Sequence, residues 1–164
     1  MMTPHGPRGG ARRLRRFVRC LAGAWALACS APRPEFGDPR AEIAALLARS
    51  AADWNRGDLD SFMSDYARDS TTSYVSGGHV QYGWQRLYDR YRTTYFAPGK
   101  ARDSLAFEEV RVRPLTPSLA LCTARFKLLR RGAVTASGPF TLLLEKRGAR
   151  WYILHDHTSS DPAP

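Results

Sequence analysis

The chain has 164 residues, which is enough for one domain with a substantial core and short for two. Its formal net charge of +10 would suit a nucleic-acid-binding protein, but seven of the 25 basic residues lie within residues 1–34, where there is no acidic residue. The other 18 basic side chains nearly balance 15 acidic ones, so the charge argues against nucleic acid as a partner.

Residues 1–28 have the parts of a secretory signal peptide. The positive segment Arg12–Arg19 precedes the short apolar run Cys20–Ala28, and Ala26 and Ala28 supply small residues at the cleavage site. The run is less than half of the roughly 20 apolar residues that span a membrane as a helix. The sequence therefore predicts an exported protein of the periplasm or envelope.

Cys29 directly follows the predicted cleavage point, so that Ala26–Cys29 resembles the lipobox of bacterial lipoproteins. A lipid on Cys29 would then be the attachment to the membrane. The alternatives are cleavage without lipid and a misassigned start codon. Cys20 leaves with the leader and Cys122 lies in an apolar strand, so we expect no structural disulfide.

The folded part is expected over residues 38–160, between a Pro-rich linker at 29–37 and a tail at 161–164. Asp38 and Pro39 are typical of a helix start, and this first helix should stop at Gly57. Apolar spacing predicts two more helices, Leu59–Ala67 and about Gly83–Phe96.

The second half of the chain has the composition of strands. After the short pair Ser70–Val75 and His79–Tyr82, the predicted strands are Leu105–Leu115, Leu119–Leu129, Val134–Lys146 and Trp151–Ser159. A phase change around Glu108–Glu109 indicates a bulge. Three helices followed by antiparallel strands predict an α+β fold, in which helices cover one face of a curved sheet and leave a cavity beneath them.

Several local patterns carry a family resemblance, and the closing strand is the most specific. They are Trp54–Asp60 with Phe62 and Tyr66, then Gly83, Gly138–Leu142 and Trp151–Ser159. In this order they resemble the SnoaL-like branch of the nuclear transport factor 2-like superfamily, over about residues 35–160. The resemblance implies a cystatin-like cone, with three N-terminal helices packed on a curved, mainly antiparallel sheet, and frequent dimerisation through the outer sheet face.

The resemblance leaves the function open. Relatives include ketosteroid isomerase, polyketide cyclases, dehydratases and non-catalytic association domains, and a fold does not fix chemistry. The resemblance also transfers no catalytic residue to this chain.

Strict alternation along the last strand predicts that His155 and His157 share a face with Trp151, and that Asp156 lies on the other face. Two imidazoles are candidates for general acid or base, although both also suit a structural, hydrogen-bonded role. Asp156 turned inward would be a base of the ketosteroid isomerase kind. We expect it outward, at an interface or capping a turn.

A metal site needs more ligands than the last strand supplies. His155 and His157 have a spacing that suits one ion, but zinc needs a third protein ligand, and nothing in the sequence brings His79, Asp65 or Asp69 to them. Nucleophile, phosphate-loop and dinucleotide motifs are also missing from the sequence. We expect no metal and no cofactor.

Aromatic side chains are the predicted lining of the cavity, although aromatics at helical spacing more often form plain core. They are Trp54, Tyr66, Tyr88, Tyr91, Phe126 and Trp151. Arg125 would hold an anionic ligand if its face of the strand lined the cavity; as part of a solvated face it needs no function.

The leading interpretation is an exported homodimer whose cone binds a small, largely apolar ligand. The first alternative is an acid–base enzyme, an isomerase, cyclase or dehydratase using His155, His157 or Asp156. The second is a non-catalytic dimeric interaction module.

Overall fold

The structure is a computed structural model that describes residues 38–162. The predicted signal peptide, the linker and the lipidation site at Cys29 lie outside the described residues. None of the described helices has the length and apolar character needed to cross a membrane.

Three helices precede most of the sheet, as predicted. Helix α1 covers Pro39–Arg56, α2 covers Leu59–Met63 and α3 covers Trp84–Thr94. The Asp38 side chain caps α1 by accepting a 3.0 Å hydrogen bond from the backbone N–H of Arg40. Gly57 ends α1 at a φ of 86°, a conformation that costs a residue without Cβ very little.

The six strands form one sheet. They are β1 Ser73–Ser76, β2 His79–Tyr82, β3 Ser104–Pro114, β4 Leu119–Arg130, β5 Ala133–Arg147 and β6 Arg150–Thr158. The order across the sheet is β2-β1-β6-β5-β4-β3, and every neighbouring pair is antiparallel except the parallel pair β1 and β6. The parallel pair places the last strand beside the first, so β6 lies inside the sheet between β1 and β5.

The core lies between the helices and one face of the sheet, which we call the inner face. On β4 the inner face carries Ala120, Cys122 and Ala124, all at most 5% exposed, in the alternation that the sequence predicts. Ile43, Leu46 and Leu47 of α1 belong to the same buried cluster. Burial of these apolar groups is the main stabilising contribution to the fold.

Three bulges interrupt the described sheet, and only the first of them is visible in the sequence; the third lies in β5, opposite Leu128 and Leu129 of β4. The register between β3 and β4 shifts between Glu108 and Arg111, and Glu109 has a φ of 55°, which confirms the bulge predicted there. The second lies in β6, where Ile153 pairs with Leu144 and His155 pairs with Leu143, so that Leu154 is the extra residue.

Candidate ligand-binding cavity

A cavity of about 100 Å³ lies between the helices and the inner face of the sheet. Its lining is mostly aromatic: Trp54, Phe62, Tyr66, Tyr74, Tyr91, Tyr95, Phe107, Phe126 and Phe140 all contribute. Asp156 is the one charged residue of the lining, which also includes the hydroxyl groups of Ser50 and Thr158. The cavity is therefore an apolar chamber with a single carboxyl group in its wall.

Asp156 is held by two hydroxyl groups. Its Oδ2 atom accepts a 2.8 Å hydrogen bond from Tyr66 Oη, and its Oδ1 atom accepts a 2.7 Å bond from Thr158 Oγ1. The residue is only 5% exposed. Because a carboxylate has about four acceptor positions, capacity remains for a hydrogen bond from a ligand.

Burial is the main influence on the charge of Asp156. It raises the pKa of this carboxyl, whereas the hydrogen bonds from Thr158 and Tyr66 and the positive charges of His155 and His157 act in the opposite direction. A buried carboxyl with a raised pKa in an apolar pocket is a recurrent feature of binding and catalytic sites.

The tyrosines around Asp156 remain protonated. Burial, followed by the negative charge of Asp156, raises the pKa of both Tyr66 and Tyr91 well above 10. Burial likewise raises the pKa of Tyr74, whose position on β1 is paired with Asp156 on β6. These phenols are therefore neutral groups that can donate hydrogen bonds at physiological pH.

The bulge at Leu154 explains how Asp156 reaches the cavity, and it corrects the predicted alternation. Ile153 and Asp156 are both buried, opposite the buried residues Leu144 and Leu142 of β5. One extra residue between them shifts the phase of the strand, so the prediction of a single alternation was wrong. The expectation that Asp156 faces outward was wrong for the same reason.

The two histidines consequently lie on the outer face of the sheet. His155 is half-buried, with its Nδ1 atom 2.7 Å from Ser73 Oγ, and His157 is exposed. Their rings are 6.4 Å apart. Neither histidine lines the cavity, so the structure does not bring the predicted pair of imidazoles to it.

Four of the six predicted aromatic residues line the cavity: Trp54, Tyr66, Tyr91 and Phe126. The prediction was wrong for Tyr88 and Trp151, whose polar atoms have partners elsewhere. Tyr88 stacks on Trp84 and donates a 2.8 Å hydrogen bond to Asp60. Trp151 donates through Nε1 to Glu42 Oε2 at 2.5 Å.

Arg125 does not hold a ligand in the cavity. The Cys122 and Phe126 face of β4 is the inner one, so Arg125 points to the outer face, where it forms an ion pair with Asp161. Ser137 donates a 2.6 Å hydrogen bond to the same carboxylate. The role of Arg125 is to hold the C-terminal segment against the sheet.

Sequence reasoning missed most of the lining, including five of its nine aromatic residues. Tyr95 follows Tyr91 by one helical turn, and Phe140 is paired with Ala124 on the inner face of the sheet, so both had a usable signal. Tyr74 and Thr158 had none, because their positions depend on the parallel pairing of β1 with β6 and on the bulge at Leu154.

The other polar candidates are separate from the cavity. His79 is exposed on β2, Asp65 is bound by Arg49 at 2.7 Å, and Asp69 caps the turn that contains Thr71. Within residues 38–162, no three His, Cys, Asp or Glu side chains come together as a metal site would require. Burial raises the pKa of the Cys122 thiol to about 11, so Cys122 behaves as an apolar core residue.

A family model described as a SnoaL-like domain matches residues 43–164. The chain belongs to this family. The resemblance seen in the closing strand and the helix patterns is thereby confirmed. Among curated proteins, none matches the chain.

Solved structures agree with this assignment. An NTF-2 like protein of unknown function from Shewanella oneidensis is 32% identical, with a TM-score of 0.68, over 74% of this chain and 99% of that one. A cystatin-like fold protein of unknown function from Nostoc punctiforme is 16% identical, with a TM-score of 0.60, over 74% of this chain and 90% of that one. The prediction of a cystatin-like α+β fold is confirmed.

A ketosteroid isomerase-like protein from Erwinia carotovora atroseptica is also similar in structure. It is 19% identical, with a TM-score of 0.59, over 78% of this chain and 99% of that one. At this identity the likeness concerns the fold alone. The function of this SnoaL-like domain depends on its own cavity and does not follow from the shared fold.

Proposed function

We propose that this SnoaL-like domain binds a small, largely apolar molecule, and that Asp156 holds the one polar group of that molecule. The main support is the placement of a buried carboxyl among nine aromatic rings with free acceptor capacity. Ligand sites in proteins usually combine an apolar wall with a few polar groups that fix orientation.

The size of the cavity limits the ligand. Pockets for drug-sized molecules measure about 300–1,000 Å³. An apolar cavity of about 150 Å³ is known to hold benzene. The cavity of about 100 Å³ is smaller than that, so it favours a compact molecule with a short branched chain.

Specificity would come from Asp156. A ligand that donates a hydrogen bond to the carboxylate satisfies a buried acceptor, whereas an apolar ligand displaces water from it and leaves it with only Tyr66 and Thr158. An unsatisfied buried polar group costs about 1–3 kcal/mol. The cavity should thus prefer molecules with a donor group at one end.

Acid–base catalysis at Asp156 is the second candidate, favoured by its raised pKa. A buried carboxylate of this kind is a stronger base than an exposed one, and it can take a proton from an acidic C–H or O–H group of the ligand. Tyr66 would hold the carboxylate in place through its hydrogen bond, while Tyr91 stays protonated as a donor for charge that develops on the ligand.

Native mass spectrometry of the protein purified from its own envelope tests the binding proposal. We expect an adduct on the wild-type protein and its loss in Ser50→Met, which extends an apolar side chain from a lining position without touching Asp156. Circular dichroism confirms that the variant is folded. An adduct that persists in Ser50→Met would place the ligand elsewhere and contradict the proposal.

The identified molecule then separates binding from catalysis. Incubated in deuterium oxide, an enzyme that moves a proton through Asp156 would exchange a C–H hydrogen of the molecule, and Asp156→Asn would stop this exchange while the molecule still binds. Binding without exchange in the wild type would leave a ligand-binding protein and rule out this form of catalysis.

The proposal includes export, an optional lipid on Cys29 and a homodimer, and these parts rest on the sequence. The half-buried outer-face residues Leu121, Leu143 and Leu154 are compatible with a second copy packed on the sheet. The same mass spectrum reports leader cleavage, acylation and the oligomeric state. A monomer with an empty cavity would contradict both the ligand-binding protein and the dimeric interaction module.

A further inference from the structure

We propose that the ligand is a small organic cation, an ammonium ion whose N–H group donates to Asp156 and whose carbon part lies among the aromatic rings. This inference rests on the proposed function, because it names the class of molecule that the same cavity takes. It is carried by the charges and the aromatic faces that surround the cavity.

The charge of the lining has one sign. Among residues 38–162, the side chains that form the cavity include the carboxyl of Asp156 and no Lys, Arg or His. The two groups that bind the carboxyl, Tyr66 and Thr158, are neutral hydroxyls. An anionic ligand would therefore meet a like charge in an apolar chamber, where repulsion is strong.

Two other buried aspartates of the fold, Asp53 and Asp65, each form an ion pair with an arginine and give an internal comparison. Asp65, with a fully buried side chain, is bound by Arg49 at 2.7 Å and faces Arg150 at 3.6 Å. Among the described residues, Asp156 has no such ion pair, although it is buried to a similar degree. Buried charges are normally paired, so the missing partner of Asp156 is the expected place of a cationic ligand.

The aromatic wall suits the same ligand. Cations bind to the faces of Trp, Tyr and Phe rings, and aromatic chambers are the usual means of recognising organic ammonium groups. Nine rings line this cavity, and Trp54, Tyr91 and Tyr95 lie within 6.1 Å of one another in edge and tilted arrangements. A chamber of about 100 Å³ suits an ammonium ion with a short branched alkyl group.

Protonation of Asp156 competes with the cation, because the ammonium ion pairs only with the carboxylate. Affinity for the cation should therefore rise with pH as Asp156 loses its proton. The titratable groups that face Asp156 are the phenols of Tyr66, Tyr74 and Tyr91, which stay neutral, and His155 and His157 on its own strand.

Matched ligands of equal shape test the inference by isothermal titration calorimetry on the wild-type protein at pH 7. One pair is isobutylammonium and isobutanol; a smaller pair is isopropylammonium and isopropanol. In at least one pair we expect the cation to bind about tenfold more tightly than the alcohol, as charge-assisted hydrogen bonds and cation–π contacts require. The ratio of the two affinities should rise with pH as Asp156 loses its proton, in a series measured from pH 4 to pH 8.

Asp156→Asn is the matching variant, since it keeps the shape of the side chain and removes its charge. We expect the cation and the alcohol to bind this variant within about threefold of each other. Asp60→Asn, the same substitution at the exposed aspartate that pairs with Tyr88, should keep the wild-type ratio.

The outcomes separate the two proposals. If the alcohols bind as tightly as the cations, or if Asp156→Asn keeps the preference for the cation, the cationic ligand is overturned and the apolar ligand site stands. If all four molecules bind the wild type no more tightly than they bind Ser50→Met, both proposals fail. Should Asp156→Asn not fold, the pH series on the wild type still decides, because a cation preference that stays constant from pH 4 to pH 8 overturns the cationic ligand.

Discussion

The Tyr66 hydroxyl donates a 2.8 Å hydrogen bond to Asp156, which lies 90 residues later in the chain. The bond crosses from the segment after α2 to the final strand, where Tyr66 also forms an isolated parallel bridge with Ile153. It therefore fixes the carboxylate in the wall of the cavity and links the segment after α2 to β6, inside the sheet.

Tyr66→Phe should raise the pKa of Asp156 further, because the lost hydrogen bond favours the charged form. The free energy of unfolding should fall by about 1–3 kcal/mol at neutral pH, since a buried carboxylate loses one of its two partners. Carbon-13 NMR titration of the Asp156 carboxyl and urea unfolding measure the two effects.

The control is Tyr88→Phe, which removes a hydrogen bond of the same 2.8 Å length from the exposed carboxylate of Asp60. Water replaces the phenol there, so the unfolding free energy should stay close to that of the wild type and the Asp156 titration should not move. Equal losses of unfolding free energy in both variants would mean that the buried hydrogen bond of Tyr66 stabilises the fold no more than the exposed one of Tyr88.

Asp156→Asn should stabilise the fold at neutral pH by about 0.5–2 kcal/mol, because the amide avoids the cost of burying a charge that has no ion pair. Burial raises the pKa of Asp156 above its ordinary value of 3.8, so the folded state holds the proton more tightly than the unfolded state. The stability that this proton contributes is present at pH 3 and is lost as the pH rises through the raised pKa.

The gain in stability of Asp156→Asn over the wild type should therefore grow from pH 4 to pH 7. Thermal unfolding at both pH values measures it, with Asp60→Asn as a control for removing one negative charge. A variant that is less stable than the wild type by the same amount at every pH would show that the carboxylate is a purely structural hydrogen-bond acceptor.

The parts of the site that the sequence predicted are those set by local patterns. Alternation on β4 placed Phe126 correctly, and helical spacing placed Trp54 and Tyr91. The phase change at Glu108 revealed the bulge in β3 because apolar residues switch faces there. Each of these signals lies within a few residues of the position that it describes.

No such signal marks the bulge at Leu154, although this bulge determines which side chains at the end of β6 line the cavity. Leu154 is apolar and fits a regular strand, so strict alternation remained the simplest interpretation. The extra residue is fixed by the pairing of β6 with β5 on one side and β1 on the other. Trp151 was misassigned for a similar reason, because its partner Glu42 lies 109 residues earlier.

Gly138→Ala should destabilise the fold by about 1–3 kcal/mol, because a Cβ atom there would overlap the backbone carbonyl of Ser159. The C-terminal segment is held in this place by hydrogen bonds from Ser159 N–H to Pro139 and from Asp161 N–H to Ser137. A backbone contact of this kind cannot be relieved by rotating a side chain. Urea unfolding measures the loss.

Truncation after Thr158 provides the control for Gly138→Ala. It removes Ser159 and with it the overlap, so the alanine should cost much less in the shortened chain than in the full one. An unchanged cost would show that the conformation of residue 138, rather than the crossing segment, requires glycine.

Trp151→Phe should cost about 1 kcal/mol of unfolding free energy at neutral pH, since it removes the 2.5 Å hydrogen bond to Glu42 and keeps most of the ring burial. Hydrogen bonds from Lys146 and then Trp151 lower the pKa of Glu42 below its ordinary value of 4.5. The stability from these bonds is present above pH 4.5 and is lost as the pH falls through the lowered pKa. Urea unfolding should therefore show the cost shrinking on acidification. The control is Trp84→Phe, which removes a 3.0 Å hydrogen bond to the neutral carbonyl of Met63, so its cost in unfolding free energy should not change with pH. If the cost of Trp151→Phe were equally independent of pH, this would contradict a charged acceptor at Glu42.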